Sequence, residues 1–219
     1  MFFRRSSGKT PPGAGTPAVR EAPEGGVCRL INAAGRVPLA VLQELAGSLS
    51  AAEFAAFLRR PVLAGSGILE GTLGGPGRGG SPALNRTVLF QPAEHAAEGV
   101  LASDSLRTAI YPLVKGVHAA GRESRFTIGR VAGCDFILPD PAVSKEHARI
   151  EIRGDGILLE DLGSTNGTWV NGRRLGGSPV VLKDGDLVSF ARYGFHLLAP
   201  ASLHAMLRAP QDSASGFTR

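Results

Sequence analysis

Two hydrophobic textures divide the chain. In the first half, apolar residues recur at helical spacing. "VPLAVLQELAGSLS" places Val37, Val41, Leu42 and Leu45 on one face, which predicts a helix that Gly47 can end. "SLSAAEFAAFLRRP" predicts a second helix. Ser50 is its N-cap, Glu53 completes a capping box three residues on, and Pro61 stops it. "VLAGSGILEGTL" reads as short extended segments, "RTVLFQP" as a strand, and "PAEHAAEGVLASDSLRTAI" as partly helical. From about Ala109 the period shortens. "YPLVKGV", "SRFTIGR", "DFILP", "HARIEIR", "GILLEDL", "GTWVNG", "VVLKDGD", "LVSFA" and "YGFHLLAP" alternate with Gly, Asn and Asp turns. That spacing predicts an all-β sandwich or barrel. "ASLHAMLR", after Pro200, predicts a short helix.

Composition sets the segments between. Residues 1–26 are rich in Pro, Gly, Ser and Thr and read as a disordered arm. Residues 27–107 read as a small mixed α/β region interrupted by a Gly-rich linker at 73–85, residues 108–200 as the β domain, and 201–219 as a short helix and tail. The linker contains Gly75, Gly77 and Gly80 in a G-x-G-x-x-G, but Pro82 denies the helix a dinucleotide site needs. The 219 residues are 43% hydrophobic, enough for a core. The net charge of +5 comes from scattered arginines and reads as a solvated surface, not a nucleic-acid footprint. "VPLAVLQELAG" carries one acid and no base, so it is no recognition helix. Cys28 and Cys134 are too few for a disulfide scaffold or a zinc site. No apolar run reaches the roughly 18 residues of a membrane span, and the start lacks a signal peptide's apolar core. The reading is a cytoplasmic chain, bacterial in its Ala, Gly and Arg content, with no membrane or nucleic-acid partner.

"DLGSTNGTWVNG" carries two Asn-Gly pairs five residues apart, each a strong turn signal because both residues tolerate positive φ. With "FTIGR" at 126–130, "SKEHA" at 144–148 and a closing "LKDGDLVSF", the order resembles the forkhead-associated (FHA) domain over about residues 111–198. The resemblance implies a mainly β fold, an eleven-stranded two-sheet sandwich whose loops at one end bind phosphothreonine peptides. The first Asn-Gly is then a recognition loop and the second the next hairpin turn.

Phosphothreonine carries about −1.5 to −2 charge and three acceptor oxygens, so its receptor needs a charge-assisted donor and short donors on rigid turns. By position in the family pattern, Arg130 supplies the guanidinium, Ser144 and Thr165 hydroxyls, and Lys145 a second cation. Asn166 holds the peptide backbone, and Gly129 and His147 brace the loops without touching phosphate. Arg192, in the last hairpin, is a cation that would favour an acidic residue after the phosphothreonine. Ala191 stands where many members carry Gly. Thr87, which follows Arg86 as in many basophilic kinase sites, is a candidate self-ligand. Ser144, His147 and Asp161 supply the residue types of a hydrolase triad, but no nucleophile elbow surrounds them. No cofactor, metal or catalytic pattern is found, so the chain reads as a non-enzymatic reader of a threonine-phosphorylated protein, downstream of a Ser/Thr kinase. The alternative is a constitutive scaffold or secretion-system component that binds without phosphate.

Overall fold

A computed structural model describes residues 26–68, 105–117 and 121–209. The arm, the linker and Thr87 lie outside the described residues. Eleven strands occur among those described: β1 (Val62–Gly65), β2 (Ile110–Pro112), β3 (Arg125–Gly129), β4 (Phe136–Ile137), β5 (Ala148–Arg153) and β6 (Gly156–Asp161), then β7 (Thr168–Val170), β8 (Arg173–Arg174), β9 (Val180–Leu182), β10 (Leu187–Phe190) and β11 (Tyr193–Leu198). They form a six-stranded sheet in the order β2-β1-β11-β10-β7-β8 and a five-stranded sheet in the order β4-β3-β5-β6-β9. The fold is mainly β, as the alternation along the second half predicts. Among the described residues it is accompanied by α1 (Leu39–Ser48), α2 (Ala51–Leu58) and α3 (Pro200–Arg208).

Sequence and local structure agree closely at α2. The Ser50 Oγ accepts from the Glu53 N–H, and the Glu53 carboxylate accepts from the Ser50 N–H at 2.9 Å. Two local expectations change. Gly47 lies inside α1, which runs on to Ser48 and ends because Leu49 turns extended to feed the Ser50 cap. Residues 66–68 form a helical turn rather than a continued strand.

The sequence left open whether the region before the β domain packs on it. It does, through a shared strand. Strand β1 lies between β2 and β11, pairing Leu63 with both Tyr111 and Leu197. Leu63 points between the sheets, into a core with Phe126, Ile128, Ile150, Phe190 and Phe195. Val62 and Ala64 point to the other face, into a second core with Leu42, Phe54, Leu58, Ile110 and Leu203. A strand buried on both faces shows a continuous apolar run, which is why "VLAG" carries no alternation. The helices thus form a third layer on the outside of the six-stranded sheet. His204 of α3 pins it, donating from Nε2 to the Leu49 carbonyl at 3.0 Å and packing against Phe54.

A second tie reaches the opposite sheet. Arg36 donates to the Tyr111 hydroxyl at 2.8 Å and to the Ile137 carbonyl, which also accepts from Tyr111 at 2.9 Å. Burial pushes the Tyr111 phenol up to about 12 against the opposing pull of Arg36, so it stays a donor. The Ile137 N–H donates to the Ala34 carbonyl, so residues before α1 hold the edge of β4.

Between β10 and β11 the chain turns in two residues, and Ala191 there has φ of 54°. That left-handed conformation costs an L-residue about 1–2 kcal/mol. Ala191→Gly is expected to stabilise the protein by about 1 kcal/mol, raising Tm by about 2–4 °C in calorimetry. An unchanged or lower Tm would show that the turn carries no such strain.

Candidate functional site

The loops at one end of the sandwich converge on a buried imidazole. His147, fully buried, stands just before β5. Its Nδ1 accepts from the Ser144 N–H at 3.1 Å, and its Nε2 lies 3.0 Å from the Gly167 carbonyl. An amide N–H can only donate and a carbonyl can only accept, so the ring is neutral with its proton on Nε2. Burial pulls the imidazole below its ordinary value of 6.5, against the opposing effects of the Gly167 carbonyl and Asp161. Phe190 packs edge-on against the ring. The Gly167 carbonyl also accepts from the Ala191 N–H, so three loops meet at one oxygen.

Gly129 makes the crossing of β3 under this loop possible. A Cβ there would stand 2.1 Å from the Lys145 carbonyl oxygen and 2.8 Å from the Cys134 Sγ, so only glycine fits. The next residue, Arg130, donates its N–H to the Ser144 carbonyl at 3.1 Å. Its exposed guanidinium has no hydrogen-bond or ion-pair partner among the described residues. Ser144 faces the other way as well. Its Oγ accepts from the Thr165 N–H at 3.1 Å, which leaves its hydrogen free to donate. Thr165 and Lys145 are exposed, and neither the Thr165 hydroxyl nor the Lys145 ammonium meets a partner among the described residues. Asn166 donates from Nδ2 to the Ala142 carbonyl at 2.7 Å and keeps its Oδ1 and a second N–H open.

The recognition loop is shaped from below by Asp161. Its carboxylate accepts from the Gly163 and Ser164 N–H groups and, at 2.6 Å, from the Ser164 and Thr168 hydroxyls. Burial alone would raise this carboxyl, but those donors outweigh it, and the net effect is a lowered value. The second Asn-Gly is the two-residue turn between β7 and β8. Asn171 and Gly172 have φ of 49° and 78°, both in the left-handed region. The Asn171 amide also grips Asp186 and the Leu187 N–H.

The triad geometry is absent. His147 engages the backbone of Ser144, not its Oγ, and both ring nitrogens are occupied. Arg192 also departs from its expected role. It donates to Asp140 at 2.5 Å, and Asp140 is 4% exposed. Asp140 further accepts from the Tyr193 hydroxyl at 2.5 Å and from the Ala142 N–H at 2.8 Å. Burial pushes its carboxyl up, yet these three donors more than compensate and hold it below the ordinary carboxylate value. Arg192 is therefore neutralised and serves to latch residues 139–143 to the last hairpin. Sequence reasoning missed Asp140 because its partners lie about fifty residues away.

His147→Ala would orphan the Ser144 N–H, leave the Gly167 carbonyl with the Ala191 N–H alone, and open a cavity. A loss of about 2–5 kcal/mol, or about 5–15 °C in Tm, is expected. A Tm within a degree of wild type would rule out the bracing role. The imidazole also sets a pH dependence. The unfolded chain takes up this proton near pH 6.5 and the folded chain only at lower pH. Its contribution to stability is thus constant above about pH 6.5 and falls as pH drops below it. Denaturant titrations of wild type and His147→Gln between pH 5 and 7.5 check this. The expected wild-type decline is shallower in the variant, and equal slopes would contradict it.

Comparison with known proteins follows the same residues. The model of the FHA domain matches residues 126–191. The FHA domain-containing protein FhaA of Mycobacterium tuberculosis is 44% identical over 70 residues, covering 31% of this chain and 12% of that protein. A solved FHA structure described under phosphothreonine-dependent FHA domain interactions is 37% identical, covering 36% of this chain and 79% of that one, with a TM-score of 0.33. The N-terminal FHA domain of Saccharomyces cerevisiae Rad53p, solved with a phosphothreonine peptide, is 27% identical, covering 39% of this chain and 77% of that one, with a TM-score of 0.34. The chain spans between 2% and 13% of the length of the curated relatives it matches. With this sequence likeness over the segment that carries Arg130, Ser144, Thr165 and Asn166, residues 126–191 are an FHA domain.

Proposed function

We propose that the chain is a phosphothreonine-dependent interaction module, an adaptor that reads Ser/Thr-kinase phosphorylation on a partner protein. One observation carries the reading. A single buried imidazole and the Ser144–Thr165 bond fix the loops that carry Arg130, Ser144, Lys145 and Thr165, and the Arg130 guanidinium, the Lys145 ammonium and the Thr165 hydroxyl have no partner among the described residues. A dianionic, three-oxygen group with a fixed peptide backbone beside it fits that set. Asn166 holds the peptide backbone through its open amide positions. Gly129 and His147 position the loops and touch no phosphate. An FHA structure of similar sequence solved with a phosphothreonine peptide, and another described for phosphothreonine-dependent interactions, support the same ligand class here. In this reading the chain is not an enzyme, its kinase lies upstream, and it works in the cytoplasm. Residues 27–107 and 108–200 act as its two regions. No helix among the described residues is long and apolar enough to cross a membrane.

Arg130→Ala tests the reading against a phosphate-independent scaffold. Loss of a charge-assisted partner is expected to cost about 2–4 kcal/mol, a loss of about 30- to 1000-fold in affinity, with Tm unchanged. Equal calorimetric affinities of wild type and variant for one phosphothreonine peptide would sink it. Affinity is also expected to fall about fourfold from pH 7.5 to 5.5, as the phosphate passes its second pKa of about 6. Fluorescence anisotropy measures this, with circular dichroism confirming that the fold persists. A flat profile would mean that the monoanion binds as well.

A further inference from the structure

Of the arginines at the recognition end, Arg192 is tied to Asp140, while Arg174 has no carboxylate partner among the described residues. Arg174 lies on β8, an edge strand two residues long, opposite Trp169 of β7. Its side chain leans back over the recognition loop. A Cβ built on Gly167 would stand 2.6 Å from the Arg174 Nε and 3.2 Å from its NH2 nitrogen. The guanidinium therefore occupies the open face of Gly167, the residue that follows Asn166 in the loop. Gly167 is pinned on its carbonyl side by His147 and Ala191 and has φ of 83°. The cation thus rests on a rigid platform. On the five-stranded sheet the arginines of β3 and β5 are matched: Arg149 to Glu160, Arg125 and Arg153 to Glu151.

We propose that Arg174 is a specificity-determining residue that selects an acidic side chain, aspartate or glutamate, in the part of the bound peptide that runs over Asn166. The inference rests on the phosphothreonine reading above. It moves the preference for acid from Arg192, whose charge Asp140 already balances, to a guanidinium whose donors have no partner among the described residues. The site is exposed, so the gain is that of a solvent-screened pair, and it weakens with added salt.

The test uses the full chain and an oriented peptide library with one fixed phosphothreonine and degenerate flanks. Calorimetry then compares Glu and Gln peptides at the selected position. Wild type is expected to prefer Glu by about two- to fivefold. Arg174→Gln should bring the ratio to about one while phosphopeptide binding stays Arg130-dependent, and Arg174→Lys should keep part of it. Arg192→Gln should keep the Glu preference and lower Tm. A library without acidic selection, a ratio unchanged in Arg174→Gln, or a ratio that disappears only in Arg192→Gln overturns the inference and leaves the parent reading standing. Absence of any Arg130-dependent phosphopeptide binding overturns both.

Discussion

The recognition end depends on one neutral imidazole. His147 joins two backbone groups of different loops, the Ser144 N–H and the Gly167 carbonyl, which also accepts from the Ala191 N–H. These belong to loops whose strands lie in different sheets. A buried N–H and a buried carbonyl each cost free energy unless paired, and a ring with one donor and one acceptor pairs both at once. A charged ring could not, because its second N–H would face the Ser144 N–H. The same burial that disfavours the proton therefore supplies the hydrogen-bond pattern. Everything exposed at that end follows from it: the Ser144 Oγ is aimed at Thr165, and Arg130 is held through its own N–H to the same residue.

The sandwich is not free-standing. Strand β1 gives its two faces to two cores, so loss of the helical layer would expose Val62, Ala64, Ile110 and Leu198 together. Residues before α1 reach further, where Ala34 and Arg36 bind the edge of β4. That strand leads into residues 139–143, which Asp140, Arg192 and Asn166 hold in place ahead of Ser144. A chain of direct contacts thus runs from the helical region to the recognition loops, and the two halves are expected to unfold together.

Local signals were legible and distant ones were not. The Ser50 and Glu53 box, the second-half strands and the Asn171-Gly172 turn are set by neighbours in sequence. Their residue types therefore state their structure. The candidate site residues were named from the loop motif, and the structure sets Ser144, Thr165 and Asn166 on adjoining loops. The place of "VLAG" was not, since an apolar run buried on both faces says nothing of its partners. Nor was the role of Arg192, whose partner Asp140 is 52 residues away. Arg174 was equally hidden. Only the register of β7 with β8 and the bare Cα of Gly167 bring it onto the recognition loop.

The central claim is that phosphothreonine meets a preformed cluster on these loops. Amide chemical-shift mapping of the 15N-labelled chain tests it most directly, with one peptide in its phosphorylated and unphosphorylated forms. Saturable shifts are expected at Arg130, Ser144, Lys145, Thr165 and Asn166 with the phosphorylated peptide alone, while α1 and α2 stay unmoved. Equal shifts from both forms, or shifts centred on the helices, would contradict it.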